Sequence, residues 1–67
     1  MDLRTERTKR SITIAFLELR KQKPIEKITV KELAEQAYIN KATFYTHYHD
    51  IYDLADQLEN EFMESII

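Results

Sequence analysis

The chain has 67 residues, a formal net charge of −2, no Cys, no Gly and a single Pro. This length admits one small domain, able to bury only about 60% of its unfolded surface, and without Cys neither a disulfide nor a thiolate metal site supports it. Without Gly, tight primed hairpin turns are hard to build and Gly-rich phosphate loops are excluded, so the composition leans all-α.

No apolar run approaches the ~20 residues of a membrane span, and none follows Met1 as a leader would. A soluble, cytoplasmic protein is expected. The small net charge hides an asymmetry: residues 1–49 hold all ten Lys and Arg against six acids, whereas residues 50–67 hold six acids and no base. Such a split is a signal for a partner, and the basic segment is where to look.

In chain order, the first helix is predicted over about 4–21. Ile12, Ala15, Phe16 and Leu19 recur at the helical repeat as one buried stripe, which Ile14 and Leu17 widen. Arg20, Lys21 and Lys23 suit a helix C-terminus, and Pro24 blocks continuation. Ile25 and Ile28 tuck inward from a short connection. Arg4, Arg7, Lys9 and Arg10 form either a solvated face or a set of phosphate or minor-groove contacts, and both readings stay open.

The second helix is predicted over 30–37. Thr29 is its N-cap, Glu32 completes a capping box, and Ile28 with Leu33 forms a hydrophobic staple. Val30, Leu33, Ala34 and Ala37 face inward. Asn40 caps the third helix, predicted over 41–48, again with a staple pair, Ile39 and Phe44. Two short helices joined by so tight a turn are a helix-turn-helix. Asp50 caps a fourth helix over 51–66, with Ile51, Leu54, Ala55, Leu58, Phe62 and Ile66 as its stripe and acids on its outer face. The expected fold is an all-α small helical bundle, a three-helix homeodomain-like unit plus the start of a longer helix.

The segment NKATFYTHYHD, residues 40–50, crowds aromatic and imidazole groups together. On a helix Phe44 and Tyr48 share one face and, with Ile39, form the inward set. Ala42, Thr43 and Thr46 lie opposite, flanked by Tyr45 and His47. His47 and His49 point away from one another, so the spacing of a helical zinc site is missing. Neither Ser11 nor Ser65 is near a His in sequence, and no Gly-bearing nucleophile turn exists. Neither an enzyme nor a cofactor is indicated. What remains is a small polar face suited to a DNA major groove. Lys41 can donate to guanine, Thr43 can hydrogen-bond a base or offer its methyl to thymine, and Ala42 allows close approach. Tyr45, His47 and His49 carry donors suited to phosphates. Thr29 and Lys31 sit at the anion-favouring start of the second helix. Tyr38 and Tyr52 read as packing or interface residues.

The run ITVKELAEQAYINKATFYTHYHDIYDLADQL resembles the N-terminal DNA-binding domain of the TetR family of transcriptional regulators. The likeness covers about 8–60, and Thr29, Leu33, Ala34, Ala37, Ile39, Thr43, Tyr45, Tyr48 and Leu54 follow the family pattern in register. The resemblance implies a homodimeric repressor, each protomer placing its third helix in a major groove of a palindromic double-stranded operator. It implies that Thr29 and Lys31 meet phosphate and that Lys41, Ala42 and Thr43 lie nearest the bases. Tyr45, Thr46 and His47 then grip the backbone or add base contacts. His49 stands where the family often has Lys, and an imidazole carries a full charge only at lower pH. Tyr38 stands where the family usually has Gly, so a left-handed backbone there would be strained by about 1 kcal/mol.

Family members carry a larger C-terminal helical domain for dimerisation and for a small-molecule inducer. The stop at Ile66 and Ile67 in mid-helix reads as a fragment ending after the DNA-binding domain. The competing expectation is a helical protein-interaction module docking through Ile51, Leu58, Phe62 and Ile66 of the fourth helix.

Overall fold

The computed structural model describes residues 3–66, with side chains described for residues 3–61. It contains α1 (Leu3–Gln22), a short 3-10 turn (Ile25–Lys27), α2 (Val30–Ala37), α3 (Lys41–His47) and α4 (Ile51–Ile66). The protein is all-α, and the described residues hold no strand. None of the described helices is long and apolar enough to cross a membrane.

Helix α1 buries Ile12, Ala15, Phe16 and Leu19, as the helical repeat requires. Arg20 and Lys21 lie in its last turn, where the helix dipole favours cations. Arg20 Nη1 also donates to the Lys23 carbonyl at 3.2 Å, beyond the helix end. Pro24, extended and without an N–H, turns the chain into the 3-10 turn. The stripe of α1 is narrower than expected. Ile14 and Leu17 do not widen it; they are 56% and 53% exposed. Only α2 packs broadly on α1, so a residue a third of a turn off the buried stripe meets water rather than a second neighbour.

Helix α2 begins as its sequence dictates: Thr29 Oγ1 accepts the backbone N–H of Glu32 at 3.1 Å. The other half of the expected capping box is replaced. The Glu32 carboxylate accepts from Lys23 Nζ instead, tying the α1–α2 connection to the first turn of α2. A protonated amine is a stronger donor to a carboxylate than a backbone N–H, which accounts for the exchange.

The α2–α3 turn is a Schellman motif. Ile39 N–H donates to the Ala34 carbonyl at 2.9 Å and Tyr38 N–H to the Glu35 carbonyl at 3.2 Å. This closure requires a left-handed residue, and Tyr38 supplies it with φ 60° and ψ 40°. Asn40 then caps α3, its Oδ1 accepting the N–H of Thr43 at 2.9 Å. Helix α3 ends at His47, and Tyr48, expected inside it, is an extended C-cap whose N–H still donates to the Phe44 carbonyl.

The core unites Ile12, Phe16, Leu19, Ile28, Leu33, Phe44, Tyr48, Ile51 and Leu54, with Ile25, Val30, Ile39, Ala55 and Leu58 packed against it. Phe44, Ile12, Leu33 and Leu54 are fully enclosed, and each such burial contributes about 1.5–3 kcal/mol. Helix α4 thus places Ile51 and Leu54 in the chain's own core. Ile51, part of the docking surface in the competing expectation, is occupied; Phe62 and Ile66 lie outside the described side chains. Tyr38 and Tyr52 do not pack inward either, at 95% and 58% exposed.

Candidate nucleic-acid interface

The interface is built outward from Phe44. Its fully buried ring meets the Tyr48 ring at 5.5 Å and packs T-shaped with the Tyr45 ring at 5.5 Å and an interplanar angle of 86°. This edge-to-face contact braces Tyr45 on the α3 surface, where its ring stays 55% exposed. Tyr48 in turn contacts the His47 ring at 6.3 Å. Burial and the nearby carboxylates of Glu61 and Asp53 push the Tyr48 phenol above its ordinary range. It therefore stays neutral and a donor.

Opposite this buried side, Ala42 and Thr46 are exposed and Thr43 is half-buried, while Lys41, on the first turn, is exposed beside it. Thr43 Oγ1 donates to Asn40 Oδ1 at 3.0 Å, alongside the backbone cap bond. Thr46 Oγ1 donates to the Ala42 carbonyl at 3.0 Å. The small side chains of this face are thus tied to their own helix and hold its surface low.

An open hollow of about 450 Å³ is lined by Tyr45, Thr46, His47, Tyr48, His49 and Asp53. It gathers four of the residues expected to grip a backbone: Tyr45, Thr46, His47 and His49. Lys41, Ala42 and Thr43 lie earlier on the same helix, and exposed Thr29 and Lys31 lie at the start of α2. Two of the expected residues are oriented by local bonds at the caps that the sequence announced. Thr29 is fixed by its capping bond and Thr43 by Asn40.

The sequence reading missed Asp53. Its Oδ2 accepts the backbone N–H of His49 at 2.7 Å, while its own N–H donates to Asp50 Oδ1 at 2.8 Å. These two bonds fix the corner that carries His49. The His49 backbone bond holds the Asp53 carboxyl below the ordinary carboxylate range. Desolvation opposes that shift, and the Gln57 side chain and the His49 charge add to it. Asp50 and Asp53, three residues apart at a helix start, carry the signal of a reciprocal cap. Among the described residues, no three His, Cys, Asp or Glu side chains gather to hold a metal ion.

A family model described as bacterial regulatory proteins, tetR family, matches residues 12–58, from the core of α1 into α4. The chain belongs to the tetR family. No curated protein and no solved structure matches it. The matched span is the family's N-terminal helix-turn-helix unit, so this tetR-family chain is a DNA-binding transcription-regulation domain, and the family is a regulatory one rather than a family of enzymes. The departure anticipated for this family at Tyr38 takes a definite form. The chain keeps the left-handed turn and accepts a tyrosine in it.

Proposed function

We propose that this domain is the operator-reading part of a dimeric repressor, with α3 lying in the major groove of each half of a palindromic site. The observation that carries the proposal is the two-sidedness of α3. Phe44 is fully enclosed while Lys41 and Ala42, on the first turn, face solvent. A helix whose N-terminal residues are exposed, small and polar meets the requirement for approach to base edges.

In this reading Lys41, Ala42 and Thr43 face the bases. Lys41 donates to guanine O6 or N7. Thr29 and Lys31 meet phosphate at the start of α2, and Tyr45, Thr46, His47 and His49 line the hollow against the sugar-phosphate backbone. Homodimerisation supplies the second half-site, without which one protomer binds weakly. In this reading residues 1–67 act as one DNA-binding domain.

The test is selection of DNA from a random library, followed by titration of the selected site at several salt concentrations. A palindromic consensus is expected, with log affinity falling against log salt by about 0.9 for each phosphate neutralised. Binding that ignores salt, or a library that returns no consensus, overturns the proposal.

A further inference from the structure

Two threonines of the interface are held in opposite hydrogen-bonding senses, and the difference bears on which base is read. Thr29 Oγ1 accepts from the Glu32 N–H, so its hydroxyl proton remains available to a partner. Thr43 Oγ1 lies 3.0 Å from Asn40 Oδ1. Asn40 Oδ1 also accepts the Thr43 backbone N–H at 2.9 Å. That second bond fixes the orientation of the Asn40 amide. Flipping it would set an NH₂ group against a backbone N–H, donor against donor. The atom facing Thr43 Oγ1 is therefore an acceptor, and the hydroxyl must give it its one proton.

Thr43 is left with a methyl group and oxygen lone pairs. Its neighbour on the exposed face, Ala42, has only a methyl. Thr46 has likewise given its proton to the Ala42 carbonyl. None of these three side chains keeps a proton for a base or a phosphate. In the major groove the apolar feature presented by the bases is the C5-methyl of thymine.

We propose that Thr43 reads a thymine through methyl–methyl contact, not through its hydroxyl, with the small Ala42 side chain allowing the approach. The operator half-site then carries a thymine within reach of the α3 N-terminus. This rests on the interface reading above and specifies it. The two threonines divide the work: Thr29 keeps a donor for phosphate, whereas Thr43 gives up its donor to hold the helix cap.

The experiment uses the 67-residue chain at low salt and its selected DNA site, with each thymine replaced in turn by deoxyuridine, which lacks only the C5-methyl. One replacement per half-site should weaken binding about fourfold, the worth of one buried methyl-sized group. T43V keeps the methyl and loses the hydroxyl, and should retain this thymine-over-uracil ratio. T43S keeps the hydroxyl and loses the methyl, and should bring the ratio close to one. Helical circular dichroism of both variants checks that α3 still forms. A selected half-site without thymine, a deoxyuridine scan with no effect, or a ratio that survives in T43S but vanishes in T43V overturns the assignment. Failure to retain any DNA, both by the chain alone and by two copies joined in tandem to supply both half-sites, overturns the interface reading itself, a separate and distinguishable result.

Discussion

Asp53 and His49 are joined across the α3–α4 corner, the Asp53 carboxylate accepting the His49 backbone N–H at 2.7 Å. Because this bond favours the ionised carboxyl, it makes the corner sensitive to acid. A carboxyl depressed in the folded state contributes stability above its unfolded pKa and loses it as pH falls through the folded value. The Asp53 carboxyl is depressed, so the contribution is present at neutral pH and lost below the ordinary carboxylate range. Thermal melting of the native chain should drop from pH 6 to pH 3, and the drop should be smaller in Asp53→Asn. Equal drops in both proteins would remove Asp53 from the acid response. Asp50→Ala removes the partner cap and should cost about 1 kcal/mol at any neutral pH.

At high pH the sign reverses. The Tyr48 phenol is raised, first by burial and then by Glu61 and Asp53. A group whose folded pKa is raised contributes stability below its unfolded pKa and loses it as pH rises through the folded one. Urea midpoints should therefore fall as pH climbs past the ordinary phenol range. Tyr48→Phe, which has no proton to lose, should fall less steeply over the same interval.

Tyr38 holds the left-handed position of the Schellman turn at φ 60° while 95% exposed. Its ring makes no core contact that would offset the backbone strain. A non-Gly residue in this region costs about 1–2 kcal/mol, and glycine returns part of that through the greater entropy of the unfolded chain. Tyr38→Gly should stabilise the domain by roughly 0.5–1 kcal/mol, read from chemical denaturation. A loss of stability would mean that the tyrosine ring contributes more than its exposure indicates.

An exposed position on α1 and a buried position on α2 should respond differently to substitution. Leu17 is 53% exposed and Leu33 fully enclosed. Leu17→Gln should change stability by no more than about 0.5 kcal/mol. Leu33→Ala should cost about 2–5 kcal/mol, enough to unfold much of so small a domain. Comparable losses at both positions would contradict the observed difference in burial.

In the proposed reading, two exposed lysines, Lys31 on α2 and Lys41 on α3, make different kinds of DNA contact. Lys31→Ala should weaken all sequences alike and lower the salt slope by about one. Lys41→Ala should cost about 1–3 kcal/mol on the selected site and relax preference at one position. If both variants lose affinity without any change in preference, Lys41 is a phosphate contact.

Much of this architecture was legible in the chain because it is local. The caps at Thr29, Asn40 and Asp50 each bond a backbone N–H three residues on, within reach of pattern reading. Phe44 could be assigned to the core because it shares a helix face with Tyr48, opposite Ala42 and Thr46. Ile14 and Leu17 were misassigned because the width of a buried stripe depends on how many neighbours pack on the helix. Glu32 was half misread because Lys23, nine residues away, competes for its carboxylate.

The sequence by itself determined the helices, their starts, the turn length between α2 and α3, and the polar face of α3, all of which follow from periodicity and from side chains acting within a turn. The tertiary structure decided what depends on distance and direction. It set the left-handed backbone at Tyr38, because closing α2 onto α3 required both Schellman bonds. It packed the first turn of α4 into the core, and fixed the corner at His49 through Asp53. It also settled the direction of one proton on Thr43, since a hydroxyl can donate or accept until its neighbour leaves it a single choice.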